Sequence, residues 1–149
     1  MFKRYTFWLT LAAILQLLTA AVHSLSFLVK PNPHDESERQ LLDLLQNYQP
    51  DLGPYFHPTY GQIYTGLSAS FALLFLLGGS MNLYLLSKRL SQEIMKGVTA
   101  LNTLVFGASF LITLLTAFIF PIIFTGVVFL VLCFAYATNH IHVIKLPED

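Results

Sequence analysis

Four long apolar stretches, separated by polar segments, carry no charge at their centres. Phe7 to Val29 (FWLTLAAILQLLTAAVHSLSFLV) is the first and contains no acid or strong base. Gly61 to Leu86 is the second, and Ile94 to Phe118 the third, with Lys96 at its edge. Ile122 to Thr138 is shorter and reaches a usable length by extending through Ile141. A helix needs about 20 mostly apolar residues to cross bilayer hydrocarbon. The pattern therefore predicts spans over 7–29, 61–86, 94–118 and 121–141. Proline is tolerated at the first position of a helix, so Pro121 is the expected start of the fourth span after a tight turn. The predicted fold class is an all-α membrane protein, a four-transmembrane antiparallel helix bundle forming a single domain over 1–149.

The segment 30–60 interrupts this pattern. Pro31 and Pro33 forbid helix continuation. Asp35 and Glu38 then stand three apart, like a capping box with Asp in place of Ser or Thr. Leu41, Leu45 and Tyr48 follow at helical spacing, joined by Leu42 and Leu44, which predicts a short external amphipathic helix from Glu36 to Tyr48. Asp51-Leu52-Gly53-Pro54 reads as a turn. The apolar face of this helix is expected to pack over the mouth of the bundle, with partner binding as the alternative.

Composition agrees with a membrane location. Hydrophobic residues make up 55% of the 149 residues and charged residues 11%, against about 25% charged in ordinary soluble domains. Mean hydropathy is +0.63. Formal net charge is zero, so no global electrostatic pull draws the chain toward nucleic acid or anionic lipid. Lys3, Arg4, Lys88, Arg89, Lys96 and Lys145 fall on one side of the four spans, Lys30 and Arg39 on the other. Six against two predicts cytoplasmic N- and C-termini. Tyr5 and Trp8 at one end of span one, and Tyr55, Phe56, Tyr60 and Tyr64 where span two begins, suit an interfacial aromatic belt. The basic start and the small residues Thr19, Ala20 and Ala21 resemble a signal peptide, but the apolar run continues to Val29, so a retained span is expected. Cys133 is the only cysteine, which removes dithiol chemistry and leaves it as a small buried side chain.

Polar residues within the spans recur on single helix faces. Span one aligns Gln16, Thr19, His23 and Ser26; span two aligns Thr65, Ser68, Ala72, Phe75, Gly79 and Asn82. Span three aligns Asn102, Ser109, Thr113 and Thr116, and span four Thr125, Phe129, Leu132, Tyr136 and His140. By depth, His23, Ser26, Thr65, Ser68, Thr113, Thr116 and Thr125 belong to the outer half. Asn82, Asn102 and Tyr136 belong to the inner half, with Gln16 near the middle. Such groups serve either as interhelical hydrogen bonds or as a polar pocket. The candidate ligand-binding residues are Gln16, His23, Ser26, Thr65, Ser68, Asn82 and Asn102. His23 stands out because an ionisable side chain inside a span is costly without a partner. Gly66 and Ser70 form a small-xxx-small pair suited to dimerisation.

Other chemistries find little support. His23, His34 and His57 match no metal-ligand spacing, and no metal or other cofactor is expected. His23 and His140 fall at different depths, which disfavours a shared haem. No Asp, Glu, Lys or Arg occupies the middle of a span, as coupled transport usually requires. Paired-carboxylate, HExxH, GxSxG and phosphate-loop signatures are all missing.

Leu18 to Phe27 (LTAAVHSLSF), Asp51 to Gly61 (DLGPYFHPTYG) and a Gly- and Ser-rich second span ending in Met81-Asn82-Leu83 resemble the small four-helix proteins of bacterial inner membranes. That resemblance implies architecture and no particular activity. Small multidrug transporters depend on a first-span glutamate that is missing here. Membrane glutathione and eicosanoid enzymes use an Arg/Asn/Glu pattern on the cytoplasmic side, whereas Glu38, Arg39 and Asn47 fall in the external segment. Two expectations follow. The chain is either a non-catalytic accessory subunit or lipophilic-ligand binder, or a small membrane enzyme or redox component with His23 near a quinone- or isoprenoid-like substrate. Expected partners are membrane lipid and another membrane protein or a second copy.

Overall fold

The computed structural model describes residues 4–29, 31–88 and 90–139. In chain order its elements are α1 (Arg4–Leu25), a 3-10 turn (Ser26–Leu28), α2 (Glu36–Asn47), α3 (Tyr60–Ser87), α4 (Gln92–Thr116) and α5 (Ile119–Ala137). Four segments, Tyr5–Leu28, Tyr60–Ser87, Gln92–Thr116 and Ile119–Ala137, are long and apolar enough to span a membrane. The chain is an all-helical, multi-pass membrane protein of the four-helix-bundle class.

Local chemistry sets the helix ends. Thr59 and Gln62 close a reciprocal capping box at the start of α3: Gln62 N donates to Thr59 Oγ1 (3.2 Å) and Thr59 N to Gln62 Oε1 (2.9 Å). Ser91 caps α4 by accepting from Ile94 N at 3.4 Å. α5 starts at Ile119, two residues before the expected Pro121. The first N–H groups of a helix have no intrahelical partner, so proline is accommodated at its third position as readily as at its first. Within the described residues α5 ends at Ala137, short of the expected 141; His140, His142 and Lys145 lie outside them. Span one also differs from the expected 7–29. Its α-helix runs Arg4–Leu25 and tightens into the 3-10 turn.

The chain divides into two compact units, to both of which α1 and α3 contribute. The first comprises the chain up to Thr19 and from Phe75 onward. Here Trp8 of α1 stacks on Phe134 of α5 with ring centroids 5.2 Å apart. Phe75 of α3 meets Phe106 of α4 edge-on at 4.9 Å, and Phe110 of α4 stacks on Phe129 of α5 at 5.9 Å. Leu9, Phe75, Met95 and Leu132 are fully buried. α1 and α3 approach most closely at Gly79, where a Cβ would stand 2.8 Å from the Ala13 carbonyl oxygen. Close approach through small residues is how membrane helices pack when burial from water supplies no drive. Opposite faces stay open: Leu104 is 71% and Leu115 82% exposed, as lipid-facing side chains should be. Tyr5 is buried, so it belongs to the core and not to the expected aromatic belt. Cys133 is half-buried, not fully enclosed.

The second unit is Ala20–Leu74. Asp35 caps α2 by accepting from Glu38 N (2.8 Å), while the Glu38 carboxylate accepts from His34 N (2.7 Å). The box thus closes one residue earlier than the usual reciprocal arrangement. Arg39 pairs with Glu36 along the helix. α2 ends at Asn47, one residue before the expected Tyr48, whose N–H caps the helix on the Leu44 carbonyl. Its last turn lies on the first turn of α3: a Cβ on Gly61 would stand 2.8 Å from the Leu45 carbonyl oxygen. Tyr48 stacks on Tyr60 at 5.7 Å. The expected apolar face of Leu41, Leu45 and Tyr48 is divided, because Leu42 and Leu45 are half-buried while Leu41, Leu44 and Tyr48 stay exposed. The 51–54 turn needs its glycine, since Gly53 has φ +112°.

Candidate functional site

The candidate residues separate into two groups. In the second unit, His23 near the end of α1 reaches Ser68 in α3, with Nε2 and Oγ 2.8 Å apart. His23 is half-buried between two aromatic rings: Phe71 at 4.8 Å and Phe27, edge-on, at 6.0 Å. The Ser68 hydroxyl gives the imidazole the hydrogen-bond partner that a polar ring within a span requires.

Ser68 also lines a cavity of about 1010 Å³ together with Ser26, Thr65, Phe27, Leu42 and Leu45. Three of the seven candidate residues therefore face one space, and His23 is bonded to one of them. Two of the hydroxyls are held by their own helices. Ser26 Oγ donates to the His23 carbonyl (2.6 Å) and Thr65 Oγ1 to the Gly61 carbonyl (2.8 Å). Their oxygens retain lone pairs and can accept from a bound group. Ser68 keeps capacity whichever way its proton points: donating to His23 leaves its lone pairs, accepting leaves its hydrogen. The wall can hold a molecule with an apolar body and one hydrogen-bonding head.

Gln16, Asn82 and Asn102 form the other group, in the first unit. Asn82 Nδ2 donates to Gln16 Oε1 (2.9 Å) and to Asn102 Oδ1 (3.3 Å). Asn102 Nδ2 donates to the Val98 carbonyl at 3.0 Å. None of the three is more than 4% exposed. Gln16 Nε2 and Asn82 Oδ1 have no hydrogen-bond partner. Gly78 leaves the space that Phe106 and Gln16 occupy. A Cβ there would stand 2.6 Å from the Phe106 ring and 2.9 Å from Gln16 Nε2. These amides join α1, α3 and α4.

Thr113 and Thr125 form a third link, hydroxyl to hydroxyl at 2.8 Å between α4 and α5. Thr116 is exposed and bonds within its own helix. Ser70 likewise returns its hydroxyl to the Gly66 carbonyl (2.9 Å). Asn139 was not among the expected site residues, yet it is 1% exposed with both side-chain polar atoms unpartnered. Its position just past α5, in a segment read as span, hid it. Among the described residues no group of three His, Cys, Asp or Glu could hold a metal ion.

No protein-family model, curated protein or solved structure matches this chain.

Proposed function

We propose that this membrane protein is a non-catalytic binder of a lipophilic molecule carrying one hydrogen-bonding head group. The cavity walled by Ser26, Thr65 and Ser68 is the site, and His23 positions Ser68. The observation that carries this reading is the 2.8 Å His23–Ser68 bond beside a cavity of about 1010 Å³ with both hydroxyl and apolar walls. Sites for such ligands are mostly apolar with a few placed polar groups. In this reading Gln16, Asn82 and Asn102 serve the scaffold. The Lys and Arg bias supports an orientation with both termini cytoplasmic, and in that orientation the cavity belongs to the outer side of the membrane.

The test uses a diazirine-bearing long-chain alcohol with the full chain in detergent micelles. Crosslinks are expected on residues 42–46 and 59–68, and Ser68→Leu should lower their yield about fivefold, the value of one hydrogen bond. Uniform labelling of all lipid-facing helices, unchanged in the variant, would contradict the proposal.

A second reading, a small membrane enzyme, draws on the same bond. A serine hydroxyl 2.8 Å from an imidazole nitrogen meets the distance for a nucleophile and its base. Among the described residues, though, no carboxylate bonds to the His23 ring to orient it. Covalent labelling of Ser68 by a fluorophosphonate would favour this reading; an unreacted Ser68 favours binding alone.

A further inference from the structure

In the first unit, α4 and α5 form a groove of about 530 Å³ whose walls include Ala100, Leu104, Gly107, Leu111, Phe129 and Tyr136. We propose that this groove binds one phospholipid with an anionic head group, its acyl chain along the groove and its phosphate at Lys96.

The groove owes its form to residue size. Gly107 lets the Phe129 ring lie on the backbone of α4, where a Cβ would stand 2.8 Å from it. Phe110 stacks on Phe129 and closes that end. Toward the start of α4, Ala100 and Thr103 keep the floor low, and Thr103 Oγ1 donates to the Thr99 carbonyl at 2.8 Å. Apart from the Tyr136 hydroxyl, little in the lining asks for a polar ligand.

The charge sits at the other end. Lys96, Ala100, Thr103 and Gly107 follow one another at helical spacing on one face of α4. Lys96 Nζ lies 5.7 Å from the centre of the Tyr136 ring, which is itself a groove wall. No carboxylate lies within ion-pair distance of it among the described residues. From Lys96 to Gly107 the helix rises about 16 Å, close to one leaflet of a hydrocarbon core roughly 30 Å thick. Lys96 lies in the second turn of α4, a position suited to the membrane edge.

These features select among occupants. An uncharged chain would gain nothing from the lysine. A zwitterionic lipid brings its own cation beside it, whereas an anionic head group meets only attraction. A second copy packed through this face about a two-fold axis along the membrane normal would set two Lys96 side chains at the same depth.

The experiment is native mass spectrometry of the full chain in detergent, titrated with phosphatidylglycerol or phosphatidylcholine of matched acyl chains. The expected result is one saturable site that favours phosphatidylglycerol about fivefold, the value of one lysine near a membrane surface. Lys96→Gln should bring the two lipids to equal affinity, and Lys96→Arg should keep the preference. Ala108→Phe, at an exposed groove position, should weaken both lipids while circular dichroism stays unchanged. Equal affinity in the unaltered protein overturns the proposal. So does a preference that survives Lys96→Gln, or a dimer that displaces lipid and is lost in Ala108→Phe.

Discussion

Gln16, Asn82 and Asn102 bond to one another in a region with at most 4% exposure, whereas His23 and Ser68 bond, half-buried, at the wall of a cavity. Both groups are polar residues on faces of membrane-spanning helices, and hydropathy treats them alike. What differs is the space beside them. The amides have helix backbone and aromatic rings around them, so their hydrogen bonds hold helices in register. The hydroxyls and imidazole have room on one side, so they can exchange partners. The glycines repeat the contrast: Gly79 admits a neighbouring backbone within a four-helix core, and Gly61 admits only the end of a short helix. A polar residue in a span is thus a scaffold element or a site according to whether anything can enter beside it.

Substitutions at the two glycines should break this comparison most visibly. Gly79→Val drives a side chain into the Ala13 carbonyl and should cost about 3 kcal/mol, read as loss of the folded monomer on size-exclusion chromatography. Gly61→Val should instead release α2, raising hydrogen exchange over 36–47 while the amides near Asn82 stay protected. If both variants behaved alike, the two regions would not be distinct in character.

Removing the central amide is the next largest effect. Asn82→Leu leaves Gln16 and Asn102 without their shared donor in a buried site and should cost about 2 kcal/mol of stability. Ser68→Ala leaves a half-exposed imidazole that can find another partner and should cost roughly 0.6 kcal/mol. Chemical denaturation in mixed micelles reads both values. Equal losses would mean that the cavity wall is as structural as the amide cluster. Most local is the cap of α2. Asp35→Ala should cost about 1 kcal/mol, visible as increased fraying of residues 36–39 with ligand-probe crosslinking at 59–68 retained.

Much of this was legible from hydropathy, because a span must be long, apolar and helical whatever surrounds it. The separation of His23 and Ser68 from Asn82 and Asn102 also followed from depth, a property counted along each helix. Partner choice did not. Whether Gln16 meets Asn82 or another side chain depends on how each helix is rotated, and small residues such as Gly78 and Gly79 set that rotation. Pro121 misplaced the start of α5 since the first turn of a helix accepts proline at several positions. The mouth of the cavity was hidden for a related reason: Leu42 and Leu45 turn inward while Leu41 and Leu44 do not, and all four are the same residue type.

The most direct measurement is nuclear magnetic resonance of the full chain in micelles, with the His23 ring and the Asn82 and Asn102 side-chain amides resolved during titration with a long-chain alcohol. Saturable movement of the His23 signals with both amides unmoved is the predicted result. Static His23 signals, or amides that move in step with them, would contradict it.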